Sequence, residues 1–148
     1  MQTFLPVPDF GASAKILDNK RLMSQRKEAY QILLALSLKR VGWRRHPATV
    51  MWHGHMYALS EYGLVMCEEV RARGFEDSVF QKIRGMQYAF QKSGLPYWFG
   101  DEAFHSAHRA SLLSKLPTHY AKFGWSESPE INYVWPSDPT LVGKSCVM

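Results

Sequence analysis

Wherever the chain's apolar and polar positions repeat regularly, the repeat is that of a helix. Between Leu17 and Lys39, Leu22, Ala29, Leu33 and Leu36 fall on one face at roughly 100° per residue. Arg21, Ser24, Gln25, Glu28 and Gln31 fall on another. Asp18 is a good N-cap for this helix, and Leu17 and Leu22 have the spacing of a hydrophobic staple. An earlier turn over Ser13–Leu17 can run into it. Pro47 suits the start of a second helix that can reach Arg73, with Gly74 ending it. Gly54 and Gly63 inside that stretch each weaken it by about 1 kcal/mol relative to Ala. They mark a break, a close helix contact or a ligand. Asp77 can cap a third helix through Phe80, Ile83, Gln87 and Phe90, and a fourth runs from about Asp101 to Lys115. Pro6, Pro8 and Gly11 make residues 1–12 an extended or irregular arm. From Pro117 the tail is aromatic and broken by Pro129, Pro136 and Pro139, so it is expected to be irregular. No run alternates as a strand does. The pattern predicts an all-α fold, a compact bundle of about three to four helices in a single domain over 1–148.

Composition adds limits. At 148 residues and 46% hydrophobic content, the chain can bury a core without staples. A net charge of +5 permits an anionic partner without requiring one. Cys67 and Cys146 form no CxxC pair and no disulfide framework, so a reducing compartment is the default. The start Met1-Gln2-Thr3-Phe4 lacks a signal-peptide pattern, and no stretch approaches eighteen apolar residues. A soluble, cytoplasmic protein is expected.

Several constellations could carry chemistry. Glu102, His105 and His108 share one side of the fourth helix, as metal ligands or as groove-lining and hydrogen-bonding side chains. His53 and His55, two apart, point away from each other on a helix. Arg44 and Arg45 follow Trp43 in a basic connector. Basic residues interleaved with an aromatic suit phosphate contacts and base stacking, or simply a solvated loop. Arg109, Lys115 and Lys122 add charge near the aromatic tail. No Gly-x-Ser-x-Gly elbow and no phosphate loop occur. A covalent nucleophile could instead be the chain's α-amine. With an ordinary pKa of about 7.7–8.0, it is partly neutral at cellular pH and able to form an imine. Glu28, with Arg21, Arg26 and Lys27 around it, is either part of a solvated charge network or the acid of a basic groove.

Five ordered pieces carry a family resemblance. They are Leu22-Met23 with Lys27-Glu28 downstream, Pro47 with Gly54-His55, Arg73-Gly74-Phe75, Pro117-Thr118-x-Tyr120, and Phe123-Gly124. Together they resemble the pyrimidine-dimer DNA glycosylases with AP-lyase activity, the phage endonuclease V-like enzymes, over roughly residues 1–125. The resemblance implies a helical bundle with an N-terminal arm threading between the helices. It also implies an α-amine nucleophile and an essential glutamate acid/base, here Met1 and Glu28. No cofactor and no metal are implied, and the partner is duplex DNA carrying a damaged base or an abasic site, bound by a monomer. The DNA-binding set expected on this basis is Gln2, Arg21, Gln25, Lys27, Gln31, Arg44, Arg45, Arg109, Lys115 and Tyr120. The chain departs from the family in four places. Large Gln2 should block removal of the initiator methionine, the arm before Leu22-Met23 is several residues longer, and Gln31 and Arg21 stand where the family has a basic residue and a histidine. The alternatives are a water-using glycosylase for another damaged or modified base, and a DNA-binding module that kept the fold without the chemistry.

Overall fold

The computed structural model describes residues 2–38 and 45–136, and the described residues are helical, with no strand among them. Among the described residues seven α-helices follow the order α1 (Phe10–Ile16), α2 (Asn19–Leu38), α3 (Pro47–Val50), α4 (Met56–Ala72), α5 (Phe80–Gln87), α6 (Glu102–Lys115) and α7 (Pro117–Tyr120). A 3₁₀ turn, Ala121–Phe123, continues α7. The all-α expectation holds, but three to four helices is too few. The extra ones are short pieces that no periodicity can announce: α1 has seven residues, α3 and α7 four each.

Local chemistry explains the boundaries. Asp9 caps α1, its carboxylate accepting the Ala12 amide at 2.7 Å, so the arm is irregular only to Asp9. Asp18 then starts α2, with its carbonyl accepting the Leu22 amide. Both staple residues, Leu17 and Leu22, are fully buried. The expected second helix is in fact two. Gly54 takes φ +81°, a left-handed turn costly for other residues, and α3 and α4 lie on either side of it. Asp77 caps α5 by accepting the Val79 and Phe80 amides at 3.1 and 2.9 Å, and Asp101 caps α6 through Ala103.

The core forms around α4, which packs on α2, α5 and α1. Gly63 of α4 sits where three helices meet. A Cβ there would stand 2.7 Å from Ile83 of α5 and 3.2 Å from Ala29 of α2, so the close approach requires glycine. Trp52, Trp98 and Phe104 carry the core on toward α6 through ring contacts at 5.0 and 4.8 Å. Between this core and α6 lies the arm, and residues 2–6 are all buried. No helix among the described residues is long and apolar enough to cross a membrane.

Candidate active site

Five buried residues at the chain's start have their backbone polar groups to satisfy, and side chains from α2, α3–α4 and α6 do so. The Phe4 amide donates to Gln25 Oε1 of α2 at 2.6 Å. Tyr62 of α4 places its hydroxyl 3.0 Å from the Phe4 carbonyl and 2.7 Å from Gln25 Oε1, two acceptors sharing one proton. Trp52 donates its indole N–H to Thr3 Oγ1 at 3.0 Å. From the other side, Leu5 is held at both ends. Its amide donates to His108 Nδ1 at 2.9 Å, and its carbonyl lies 2.8 Å from His105 Nδ1.

These bonds fix the histidine tautomers. The Gly100 amide donates to His105 Nε2 at 3.0 Å, so Nδ1 carries the proton that Leu5 accepts. His108 accepts on Nδ1, which leaves its proton on Nε2, an atom with no partner among the described residues. Burial, then the neighbouring His105, lowers the His108 pKa to about 3, so it stays neutral. His105 and His108 are thus clasps for the arm, while Glu102 is three-quarters exposed and pairs with Arg109. Among the described residues no group of three could hold a metal.

The arm leads to Glu28. The Gln2 amide donates to Glu28 Oε2 at 3.1 Å, and Gln25 Nε2 donates to the same oxygen at 3.2 Å. Glu28 is half-buried, and among the described residues it forms no ion pair. Burial raises its pKa above the ordinary value. The Gln2 amide, the positive charge of the amino terminus, Gln25 and Lys115 offset that in part. A carboxyl so placed can switch between acid and base near neutral pH more readily than a surface glutamate. Gln2 also accepts the Thr3 amide at 2.9 Å, and its Nε2 is buried with no partner among the described residues.

The other expected site residues are scattered. Met1 and Arg44 lie outside the described residues. Lys27, Gln31, Arg45 and Lys115 are exposed, and Lys115 is near enough to act on Glu28 electrostatically. Arg21 is half-buried and paired with Asp18 at 3.2 Å. Gln25, 1% exposed, turns both amide atoms inward. Tyr120 is fully buried, its hydroxyl on Asp18, and presents nothing to a duplex. Arg109 bonds Pro6 O at 2.8 Å, Glu127 at 2.9 Å, and Glu102, so it ties arm, α6 and tail together.

Arg26 was grouped with Arg21 and Lys27 around Glu28, but it lies elsewhere. It is 5% exposed and pairs with Asp77, the cap of α5. A signal for this existed: Arg26 stands between Leu22 and Ala29 on the apolar stripe of α2. A charge there requires a buried partner. Cys67 lies near that pair, and burial and Asp77 push its thiol up to about 12, which leaves it inert. For His105 and His108 the hydrogen-bonding reading is the one the structure bears out, whereas nothing local in the sequence points to Trp52 or Tyr62, whose partners lie on a distant arm.

A family model described as pyrimidine dimer DNA glycosylase matches residues 1–82, more than half of the chain. No curated protein and no solved structure matches it. The matched span holds Gln2, Gln25, Glu28, Trp52 and Tyr62, and it excludes α6 with its two clasps. It stops short of the 1–125 over which the motifs run. On a match of that extent, the chain belongs to the pyrimidine dimer DNA glycosylase family, whose substrate is DNA.

Proposed function

We propose that this protein excises pyrimidine dimers from duplex DNA and then cleaves the strand as an AP lyase, with the Met1 amine as nucleophile and Glu28 as acid/base. The observation that carries this reading is the Gln2 amide on Glu28 Oε2 at 3.1 Å. Met1 is joined to Gln2 by one peptide bond, and consecutive Cα atoms stand about 3.8 Å apart. The chain's amine therefore starts within a residue's reach of an acid with a raised pKa. The clasps on Thr3, Phe4 and Leu5 keep that start from drifting, which lowers the entropic cost of attack.

The neutral amine attacks C1′ of the damaged nucleotide, and the C1′–N bond breaks with its electron pair leaving on the base, which takes up a proton. Loss of one amine proton gives an N-glycosyl amine; the nitrogen lone pair then closes the C1′=N bond as the C1′–O4′ bond breaks and O4′ takes up a proton, leaving a ring-opened protonated imine. Glu28 as carboxylate stabilises the cationic sugar and accepts the C2′ proton. The electrons of that C–H bond form a C=C bond as the C3′–O bond breaks and the 3′ phosphate departs. Gln2 Nε2, buried and without a partner among the described residues, is a donor available to the sugar or phosphate at this point. Lys27, Arg45 and Lys115, exposed and basic, supply phosphate contacts.

Borohydride trapping tests the reading. Duplex DNA with an abasic site should yield a covalent adduct, mapped by mass spectrometry to Met1. Base release from a thymine-dimer duplex without any adduct would show water as the nucleophile. Tight binding with neither outcome would identify a non-catalytic module.

A further inference from the structure

Past residue 125 the tail turns back along α6 rather than away from it. Glu127 accepts from Arg109 Nε and from Ser106, both at 2.9 Å. The Glu130 amide reaches the Ala110 carbonyl at 3.2 Å, and the Tyr133 hydroxyl lies 2.8 Å from Ser111 Oγ. These anchors on Ser106, Arg109, Ala110 and Ser111 of α6 pin a segment that lies beyond both the family match and the motifs that carry the resemblance. Burial pushes the Glu127 carboxyl up, but its bonds from Arg109 and Ser106 outweigh this and hold it below the ordinary value, so the latch stays charged.

The latch carries two aromatic rings to the start of the arm. Tyr133 stands edge-on to Phe4 at 6.4 Å and to His108 at 5.8 Å. Trp135 stands edge-on to Tyr133 at 5.4 Å and to His46, before α3, at 6.0 Å. Phe4 is bonded through Gln25 to Glu28, so the pair borders the acid's surroundings. Glu28 and Arg21 are both near enough to act on the Tyr133 phenol. Both rings are only half-buried.

We propose that Tyr133 and Trp135 form a base-stacking wall of the site, which receives a nucleobase pushed out of the duplex at the lesion. This rests on the DNA glycosylase reading above. An enzyme acting at C1′ must unstack the nucleotide, and an aromatic face beside the acid returns part of that stacking energy. Every base has a π-face, so such a wall tolerates sequence. The Glu127–Arg109 latch is what holds an otherwise terminal segment in register with the acid.

Place 2-aminopurine opposite, 5′ or 3′ to a tetrahydrofuran abasic analogue, and saturate each duplex with wild type, Trp135→Ala or Trp135→Phe. In at least one duplex the Trp135→Ala complex should be several-fold brighter than wild type, with Trp135→Phe still quenched. Base release from a thymine-dimer duplex should fall about tenfold in Trp135→Ala, the size of one lost stacking contact. Borohydride trapping at a preformed abasic site, where unstacking costs less, should fall by less than base release does. Equal emission from all three proteins in every duplex overturns the wall, as does an equal loss on both substrates. If wild type neither releases base nor traps, the glycosylase reading has failed, and the emission comparison still decides whether the wall stacks a base.

Discussion

Arg26 and Glu28 stand two residues apart on α2, and the fold treats them in opposite ways. Arg26 turns into the core and meets Asp77, whose carboxylate also accepts two α5 amides and lies 3.8 Å from Arg71. Burial opposes that charge, but the amides and Arg26 outweigh it and hold Asp77 below its ordinary pKa. Among the described residues the hydrogen bonds to Glu28 come from amide donors, Gln2 and Gln25, and there burial outweighs them and the pKa rises. A carboxylate paired with a cation is fixed as a charge and serves the fold. One held by neutral donors keeps its proton equilibrium within reach, which chemistry at a sugar carbon requires.

The sharpest break in this comparison is Glu28→Gln. The substitution keeps the shape and an oxygen for the Gln2 amide, yet removes the titrating group. Single-turnover base release from a thymine-dimer duplex should fall by roughly two to four orders of magnitude, the range of acid–base catalysis. DNA affinity should stay within about threefold of wild type, since Glu28 is no phosphate contact. Undiminished base release would return Glu28 to the status of an ordinary surface charge.

Arg26→Met should do the reverse. It leaves Asp77 buried with only the exposed Arg71 nearby, and removing one partner of a buried pair costs about 3–5 kcal/mol. Arg71 offers partial compensation, so the lower end, about 3 kcal/mol, is expected from urea unfolding. Activity per folded molecule should hold, because among the described residues the bonds of Asp77 go to Arg26, Arg71, Val79 and Phe80 and not to the arm. A loss of activity without a loss of stability would mean that the two sides of α2 are coupled.

Much of this contrast was hidden in the sequence for a physical reason. Local signals were readable: the staple at Leu17 and Leu22, the caps at Asp18, Asp77 and Asp101, and the polar stripe carrying Glu28. Each depends on neighbours within a turn or two. Asp77 is 51 residues from Arg26, and Leu5 is 100 and 103 residues from the clasps His105 and His108. A histidine on a helix face does not announce that it will bond a backbone atom of the arm. The four-residue helices α3 and α7 escaped for the opposite reason, being too short for any period, while the break at Gly54 stood as one of three readings of that glycine. Gln25 and Tyr120 looked like contacts for DNA because polarity suggests the surface, whereas their polar atoms were needed inside.

Acid should separate the two sides of α2 most finely. His108 is neutral in the fold, with a pKa near 3, against about 6.5 in the open arm. With the folded pKa below the open one, the stability it supports is complete above about pH 6.5 and is lost as pH falls toward 3. The slope is about 1.4 kcal/mol per unit, or tenfold in the opening equilibrium. Asp77, held below its ordinary pKa, stays ionised through the upper part of that window. Hydrogen exchange between pH 7 and 5, corrected for intrinsic rates, should therefore show protection of the Leu5 amide falling about tenfold per unit below pH 6.5. The Val79 and Phe80 amides capped by Asp77 should change little. In His108→Gln, which cannot take up that proton, the Leu5 amide should lose the slope while keeping some protection. Equal losses at Leu5 and Phe80 would show that acid opens the molecule as a whole, and that the arm's clasp is no weaker than the ion pair behind it.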